Sequence, residues 1–254
     1  MMHRKLLLLI TSLLYAYSCL FAQVNIHDSA ISTPMIYATY GYQFPRGDLA
    51  TQFGSNSTIG GGFIFKTKHN WMFGAEGNFM FGQSVKNTDS LLRMISTSEG
   101  FVTDANGYVA DIIYYERGYN ILVKFGKVLP ILAPNPNCGI ALLAGAGYIQ
   151  DKIRISNPGN SAPQLLGDYK KGYDRLNGGI ALTGSVGYLY LSNTRLLNFS
   201  ACFELMQAWT NPYRKRNFDT GLQDTRKLST QFYTIRILWI IPLYRRVPKE
   251  FYMY

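Results

Sequence analysis

A chain of 254 residues with a formal net charge of +10 is long enough for one large all-β domain, so length alone requires no second one. Beyond the first two dozen residues it has no run of about eighteen apolar residues, which excludes a helical membrane anchor, and its 3 cysteines are too few for a disulfide scaffold. The basic excess would suit nucleic acid, acidic polysaccharide or lipid phosphate, and an exported chain meets the last two rather than the first.

Export is written at the start. His3, Arg4 and Lys5 precede the apolar run from Leu6 to Leu14, and small and aromatic residues follow up to Ala22. This is the pattern of a secretory signal peptide, residues 1–22, cleaved to leave Gln23 first. A lipoprotein signal is the alternative, disfavoured by Tyr17 two positions before Cys19. Cleavage leaves Cys138 and Cys202, expected as free thiols beyond disulfide reach.

From there strand periodicity dominates, with no heptads and no solenoid repeat. The first run sets Ile36, Ala38, Tyr40, Tyr42 and Phe44 against Tyr37, Thr39, Gly41 and Gln43. The second sets Ile59, Gly61, Phe63 and Phe65 against Thr58, Gly60, Gly62 and Lys66, and the third sets Trp71, Phe73, Phe79 and Phe81 against Met72, Gly74, Glu76, Asn78 and Met80. In the fourth, Tyr119, Ile121, Val123 and Phe125 oppose Asn120, Leu122, Lys124 and Gly126. The fifth places Ile140, Leu142, Ala144, Ala146 and Tyr148 on one side and loses phase near Ile149, where a bulge is expected. The sixth opposes Ile180, Leu182, Val186 and Tyr188 to Ala181, Thr183 and Ser185. The seventh opposes Leu197, Phe199, Phe203, Leu205 and Trp209 to Cys202, Glu204 and Met206, and the eighth opposes Tyr233, Ile235, Ile237, Trp239 and Ile241 to Phe232, Thr234, Arg236 and Leu238.

The connections alternate in length: 45–56 long, 67–70 short, 83–118 long, 128–137 short, 154–176 long, 192–194 short, 210–228 long. Short turns at one end and long loops at the other, between strands of about ten residues that alternate apolar and polar, are the pattern of an antiparallel up-and-down transmembrane β-barrel. The expected fold is therefore an all-β, eight-stranded barrel over residues 23–241, both termini on the short-turn, periplasmic side, with long external loops and a tail, 242–254, beneath it. A soluble sandwich or lipocalin-like barrel would reverse the faces. The small residues of the polar face and the aromatics near strand ends, Trp71, Trp209 and Trp239 among them as membrane-interface residues, favour the membrane form.

The signal ending in FAQ, the stretch YGYQFPRGDLATQFG, the strand NWMFGAEGNFMFG and the meander resemble the small outer-membrane β-barrel proteins of Bacteroidota. The chain is similar in pattern, over nearly its whole mature length, to the transmembrane domain of OmpA and to OmpX. The resemblance implies an outer-membrane location in a Gram-negative envelope and salt bridges inside the barrel. The likeness to OmpA ends with the barrel, so tethering of the cell wall is not expected.

With the apolar face toward lipid, Glu76, Lys124, Glu204 and Arg236 enter the lumen near the middle of strands three, four, seven and eight. Neighbouring strands make Glu76 with Lys124 and Glu204 with Arg236 the expected pairs, joined in one network in so narrow an interior. A structural plug that closes the lumen is the first reading; a gated ion path through the same charges, or catalysis by the two carboxylates, are the others. His27 and His69 stand far from where a lipid-modifying enzyme would need them, and no metal-ligand spacing or cofactor motif occurs. No cofactor and no enzymatic activity are expected.

Function is then expected in the loops. DYKKGYDR contributes Lys170, Lys171 and Arg175, and NPYRKRNFDTG contributes Arg214, Lys215 and Arg216, as contacts for lipopolysaccharide phosphates, outer-membrane lipids or a protein partner, or simply as a solvated basic surface. The 83–118 segment is more acidic, with Asp89, Glu99, Asp104, Asp111 and Glu116. Its ADIIYYERGY is read as an extension of strand four beyond the membrane. The first role is a structural or interaction component of the envelope; the alternatives are an accessory subunit of a secretion or assembly complex, a small gated ion channel and, last, a lipid-modifying outer-membrane enzyme.

Overall fold

The computed structural model describes residues 29–192, 197–214, 216–222 and 224–244. The expected signal peptide, His27, Lys215 and most of the 242–254 tail lie outside them. Eight strands, β1 (Thr33–Gly47), β2 (Asn56–Lys66), β3 (Trp71–Gly82), β4 (Ile113–Leu129), β5 (Gly139–Ser156), β6 (Asn177–Leu191), β7 (Asn198–Pro212) and β8 (Leu228–Pro242), close into a barrel in sequence order. Every neighbouring pair is antiparallel, and β8 returns to β1 with Met35 opposite Pro242 and Gly47 opposite Thr230. Closure removes both sheet edges, so all ladder hydrogen bonds are internal.

The faces follow the alternation. Ile36, Tyr40, Phe63, Phe73, Val123, Leu182, Phe203 and Ile237, among many others, are exposed on the outside around the full circumference. Inside, Thr39, Glu76, Asn78, Asn120, Lys124, Thr183, Glu204, Thr234 and Arg236 are buried. Trp71, first residue of β3, and Trp239, near the end of β8, stand at the short-turn end of the wall; Trp209, near the end of β7, stands at the long-loop end. Trp71 stacks on Phe125 with centroids 5.0 Å apart, and the Lys127 ammonium lies 5.1 Å from the Trp71 ring.

The strands outrun the expected ten residues, reaching 18 in β5. The bulge expected near Ile149 is absent: β5 pairs without a break, Ile149 opposite Asn120 on β4 and opposite Gly179 on β6. What changes there is the chemistry of the faces. Below Ile149 the inward residues are small except Leu143 and the outward ones apolar; above it Ile153 and Ile155 point inward and are buried, while Lys152 and Arg154 point outward and are exposed. The strand has left the apolar belt, and its inner face now packs against loops.

Those loops form a folded cap. Leu49 and Phe53 from 48–55, Leu91, Leu92, Val102 and Ala110 from 83–112, and Ala162, Leu165 and Tyr173 from 157–176 join Ile153 and Ile155 in one apolar cluster. A short bridge between Phe53 and Val85 ties 48–55 to 83–112, and another, Thr103 with Val109, folds 83–112 on itself. At the opposite end the 130–138 turn and residues 29–32 fold across the opening. There the Asn137 amide oxygen accepts from Lys66 Nζ at 2.8 Å and from the Ile31 backbone N–H at 2.8 Å.

Candidate functional site

The centre of the barrel is a closed ring of four charges. Lys124 Nζ lies 3.0 Å from Glu76 Oε1 and 2.5 Å from Glu204 Oε2, and Arg236 Nη1 lies 2.8 Å from Glu76 and 2.9 Å from Glu204. Each base therefore bridges both acids, where the sequence paired each with only one. The register explains this: Glu76 is opposite Leu122 and Glu204 opposite Thr234, so neither acid directly faces its expected partner and all four side chains converge on the axis.

Neutral groups complete the ring. The Tyr37 hydroxyl donates to Glu76 Oε2 at 2.8 Å, and Asn78 Nδ2 donates to Glu76 Oε1 and to Asn120 Oδ1, each at 2.9 Å. Arg236 Nη2 reaches Thr39 Oγ1 at 3.2 Å and Asn78 Oδ1 at 3.3 Å. All of these residues lay on the polar faces read from the sequence; lacking charge, they were not singled out. Room for the two long bases comes from glycine on the neighbouring strand. Gly41 is opposite Arg236, where an added Cβ would lie 3.1 Å from Arg236 Cγ, and Gly145 is opposite Lys124, where it would lie 3.1 Å from Lys124 Cγ.

Apolar layers enclose the ring. On β3 Glu76 sits between buried Met72 and Met80, and on β8 Arg236 sits between buried Phe232 and Ile240. On β4 Lys124 sits between Leu122 and Val128, again both buried. Each charged side chain in the ring keeps no more than 5% of its surface exposed. A single charge in such surroundings costs several kcal/mol, whereas two acids bridged by two bases leave no net charge in the ring.

The loop bases are disposed differently from their sequence grouping. Arg175 forms an ion pair with Asp219, and Arg214 holds Asp174 through two hydrogen bonds, so these two guanidiniums clamp 157–176 to 213–227. The Arg214–Asp174 hydrogen bonds draw the guanidinium above its ordinary range. Tyr173 meets Phe218 edge-on at 5.4 Å across the same seam. Lys171 faces Asp168, Lys170 is half-buried, and Arg216 donates to the Gly221 carbonyl at 2.9 Å. A cavity of about 380 Å³ lies beside the clamp, bordered by Arg175, Asp219, Asp224 and Arg226. A different basic group stands on the barrel wall: Arg117, Lys152 and Arg154 point outward on β4 and β5, beyond Tyr119 and Tyr148. The sequence reading missed it because it placed these residues at or beyond the strand ends.

His69 is exposed in the β2–β3 turn, Cys138 is buried at the base of β5, and Cys202 faces inward on β7; both thiols are free. No group of three or more His, Cys, Asp or Glu side chains is placed to share a metal among the described residues.

The molecule is thus a closed eight-stranded antiparallel barrel with an apolar outer wall and a charged centre. No protein-family model matches the chain, and no curated protein does. Among solved structures it is similar to Ail, the attachment invasion locus protein of Yersinia pestis, in complex with the heparin analogue sucrose octasulfate, at 9% identity over 83% of this chain and 99% of that one, with a TM-score of 0.41. Another crystal structure of Ail gives 11% identity, the same coverage and a TM-score of 0.40, and Neisserial surface protein A gives 10% identity over 81% and 96%, with 0.36. The barrel assignment rests on this chain's own strand pairing.

Proposed function

We propose that the chain is an integral outer-membrane barrel with a charge-plugged lumen, a non-enzymatic structural or interaction component of the envelope, working through its long loops. One observation carries this: the exposed side chains form an apolar wall around the whole barrel while the ionised ones are enclosed at its centre. Water-soluble proteins rarely expose contiguous apolar patches beyond a few hundred Å², and a closed barrel is one of only two architectures that satisfy every backbone group in hydrocarbon. The signal peptide supports export, and the length alternation supports long loops outside with both termini in the periplasm. Trp71 and Trp239 would mark the inner interface and Trp209 the outer one.

The four-charge ring between apolar layers acts as a plug: ion passage would require breaking bridges of 2.5–3.0 Å in a dry interior. Outward-pointing Arg117, Lys152 and Arg154, just beyond a tyrosine row, fit the phosphates of outer-leaflet lipopolysaccharide better than the clamped Arg175 and Arg214 do. The test is migration of the membrane fraction on gels before and after boiling. A folded form that changes mobility on heating and partitions with outer membranes is expected; a soluble, unshifted protein would overturn the reading.

A further inference from the structure

Beyond the plug, toward the long loops, the lumen holds a second pair of acids that no base answers. Glu116 and Asp151 are each 1% exposed, and both point inward from β4 and β5, offset by one inward position: Asp151 is opposite Gly118, and Glu116 is opposite Ile153. The buried bases among the described residues are Lys66, Lys124 and Arg236. Lys124 and Arg236 belong to the ring, and Lys66 lies at the opposite end of the barrel. Arg117 approaches only the Glu116 carbonyl oxygen, at 2.7 Å, and its side chain lies on the outer face. The contacts the two carboxylates do make are with amides: Asn56 Nδ2 donates to Glu116 Oε1 at 2.8 Å, and Asn177 Nδ2 to Asp151 Oδ2 at 3.2 Å.

Oxygen atoms are left over. Glu116 Oε2 and Asn56 Oδ1 are buried without a hydrogen-bond partner, as are the inward hydroxyls of Thr58, Thr210 and Thr230. Every one of these unpartnered atoms is an acceptor or a hydroxyl. The wall beside them is also recessed. Gly82, opposite Glu116, has no side chain where an added Cβ would lie 3.2 Å from Glu116 Oε2 and 2.9 Å from Asn56 Cβ. Buried carboxylates are paired, protonated or bound to a metal, and unpaired oxygens beside a recess favour the last.

We propose that Glu116 and Asp151, with the amide oxygen of Asn56, hold one hard divalent cation, calcium in size, at the long-loop end of the lumen. Carboxylate and amide oxygens without imidazole or thiolate are the donor set of calcium, which tolerates irregular geometry and takes water for its remaining positions. Asn177 positions Asp151. Two carboxylates make a weak site, in the range of about 10⁻⁴ to 10⁻³ M typical of extracellular modules. The cation would join β2, β4 and β5 where the loops 48–55, 83–112 and 157–176 meet the barrel, and so would stiffen the cap. This does not depend on the membrane reading, since the acids lie beyond the apolar belt.

The experiment is calorimetric titration of the EDTA-stripped, detergent-purified barrel with calcium chloride, together with thermal unfolding with and without the ion. One saturable site per chain and a higher unfolding temperature in calcium are expected. Glu116→Gln and Asp151→Asn should each weaken binding at least about tenfold, and each should raise the unfolding temperature in EDTA because a repelling buried charge is gone. Gly82→Ala, which crowds the recess without removing a carboxylate, should also weaken binding. Absence of saturable binding to the unaltered protein would overturn the proposal, whether or not the variants fold. So would binding unchanged in all three variants, which would assign the ion to surface carboxylates. An unchanged stability of Glu116→Gln in EDTA, with no calcium response in the parent, would mark a protonated acid instead and overturn the proposal.

Discussion

Lys124 tests the charge ring most directly, because it bridges both acids and is itself buried. Lys124→Met keeps the length of the side chain and removes its charge, leaving two carboxylates against one guanidinium in an apolar enclosure. A loss of about 3–5 kcal/mol is expected, read from denaturant unfolding of the refolded barrel. Adding Glu204→Gln to Lys124→Met should recover much of it, since one acid then faces one base again. Alternation in the sequence was enough to place Glu76, Lys124, Glu204 and Arg236 inside, because each lies mid-strand between residues of unambiguous face. It did not reveal which acid meets which base, since that depends on strand stagger around a closed barrel rather than on neighbouring strands. Nor did it place Glu116 and Asp151 as a pair: next to Arg117 and Lys152 they look like ordinary charges of a solvated loop, and only the length of β4 and β5 turns them inward.

At the level of elements, β5 shows why the outer parts of the strands were hard to read. Its alternation never fails, but the polarity of its faces exchanges at Ile149, so a pattern sought as apolar-out appears to slip. Beyond the belt the outer surface is polar and the interior meets the apolar cap, which is the arrangement of a soluble protein. The same inversion hid the cap itself, whose apolar residues are scattered over three loops and show no period. The seam between 157–176 and 213–227 rests on Arg214 with Asp174, Arg175 with Asp219 and Tyr173 against Phe218. Arg214→Ala should release the 213–227 loop without altering the barrel. The pair is partly exposed, so a change of about 1 kcal/mol in local opening is expected, equivalent to cleavage about five times faster. Limited trypsin digestion at Arg226 and Lys227 measures it, with unchanged heat-dependent gel mobility as the control for the barrel.

For the whole molecule, the decisive property is the sign of the outer wall. In a soluble barrel, an exposed residue far from any partner accepts a charge at almost no cost; in a bilayer the same change is penalised according to depth. Val123 is 65% exposed, lies on the outer face next to Lys124 in sequence, and has only Ala75 and Ala146 opposite it on the neighbouring strands. It therefore stands outside the wall at about the height of the charge ring, with little packing of its own to lose. Val123→Arg should cost about 2–4 kcal/mol in urea unfolding of the barrel refolded into lipid vesicles. Asn211→Arg, on an exposed outer position at the long-loop end of β7, should cost about 0–1 kcal/mol in the same assay. Equal and negligible effects at both positions would mean that the apolar wall does not face hydrocarbon, and the membrane assignment would fall with it. A penalty at Val123 alone would place the bilayer around the middle of the barrel, level with the four-charge ring.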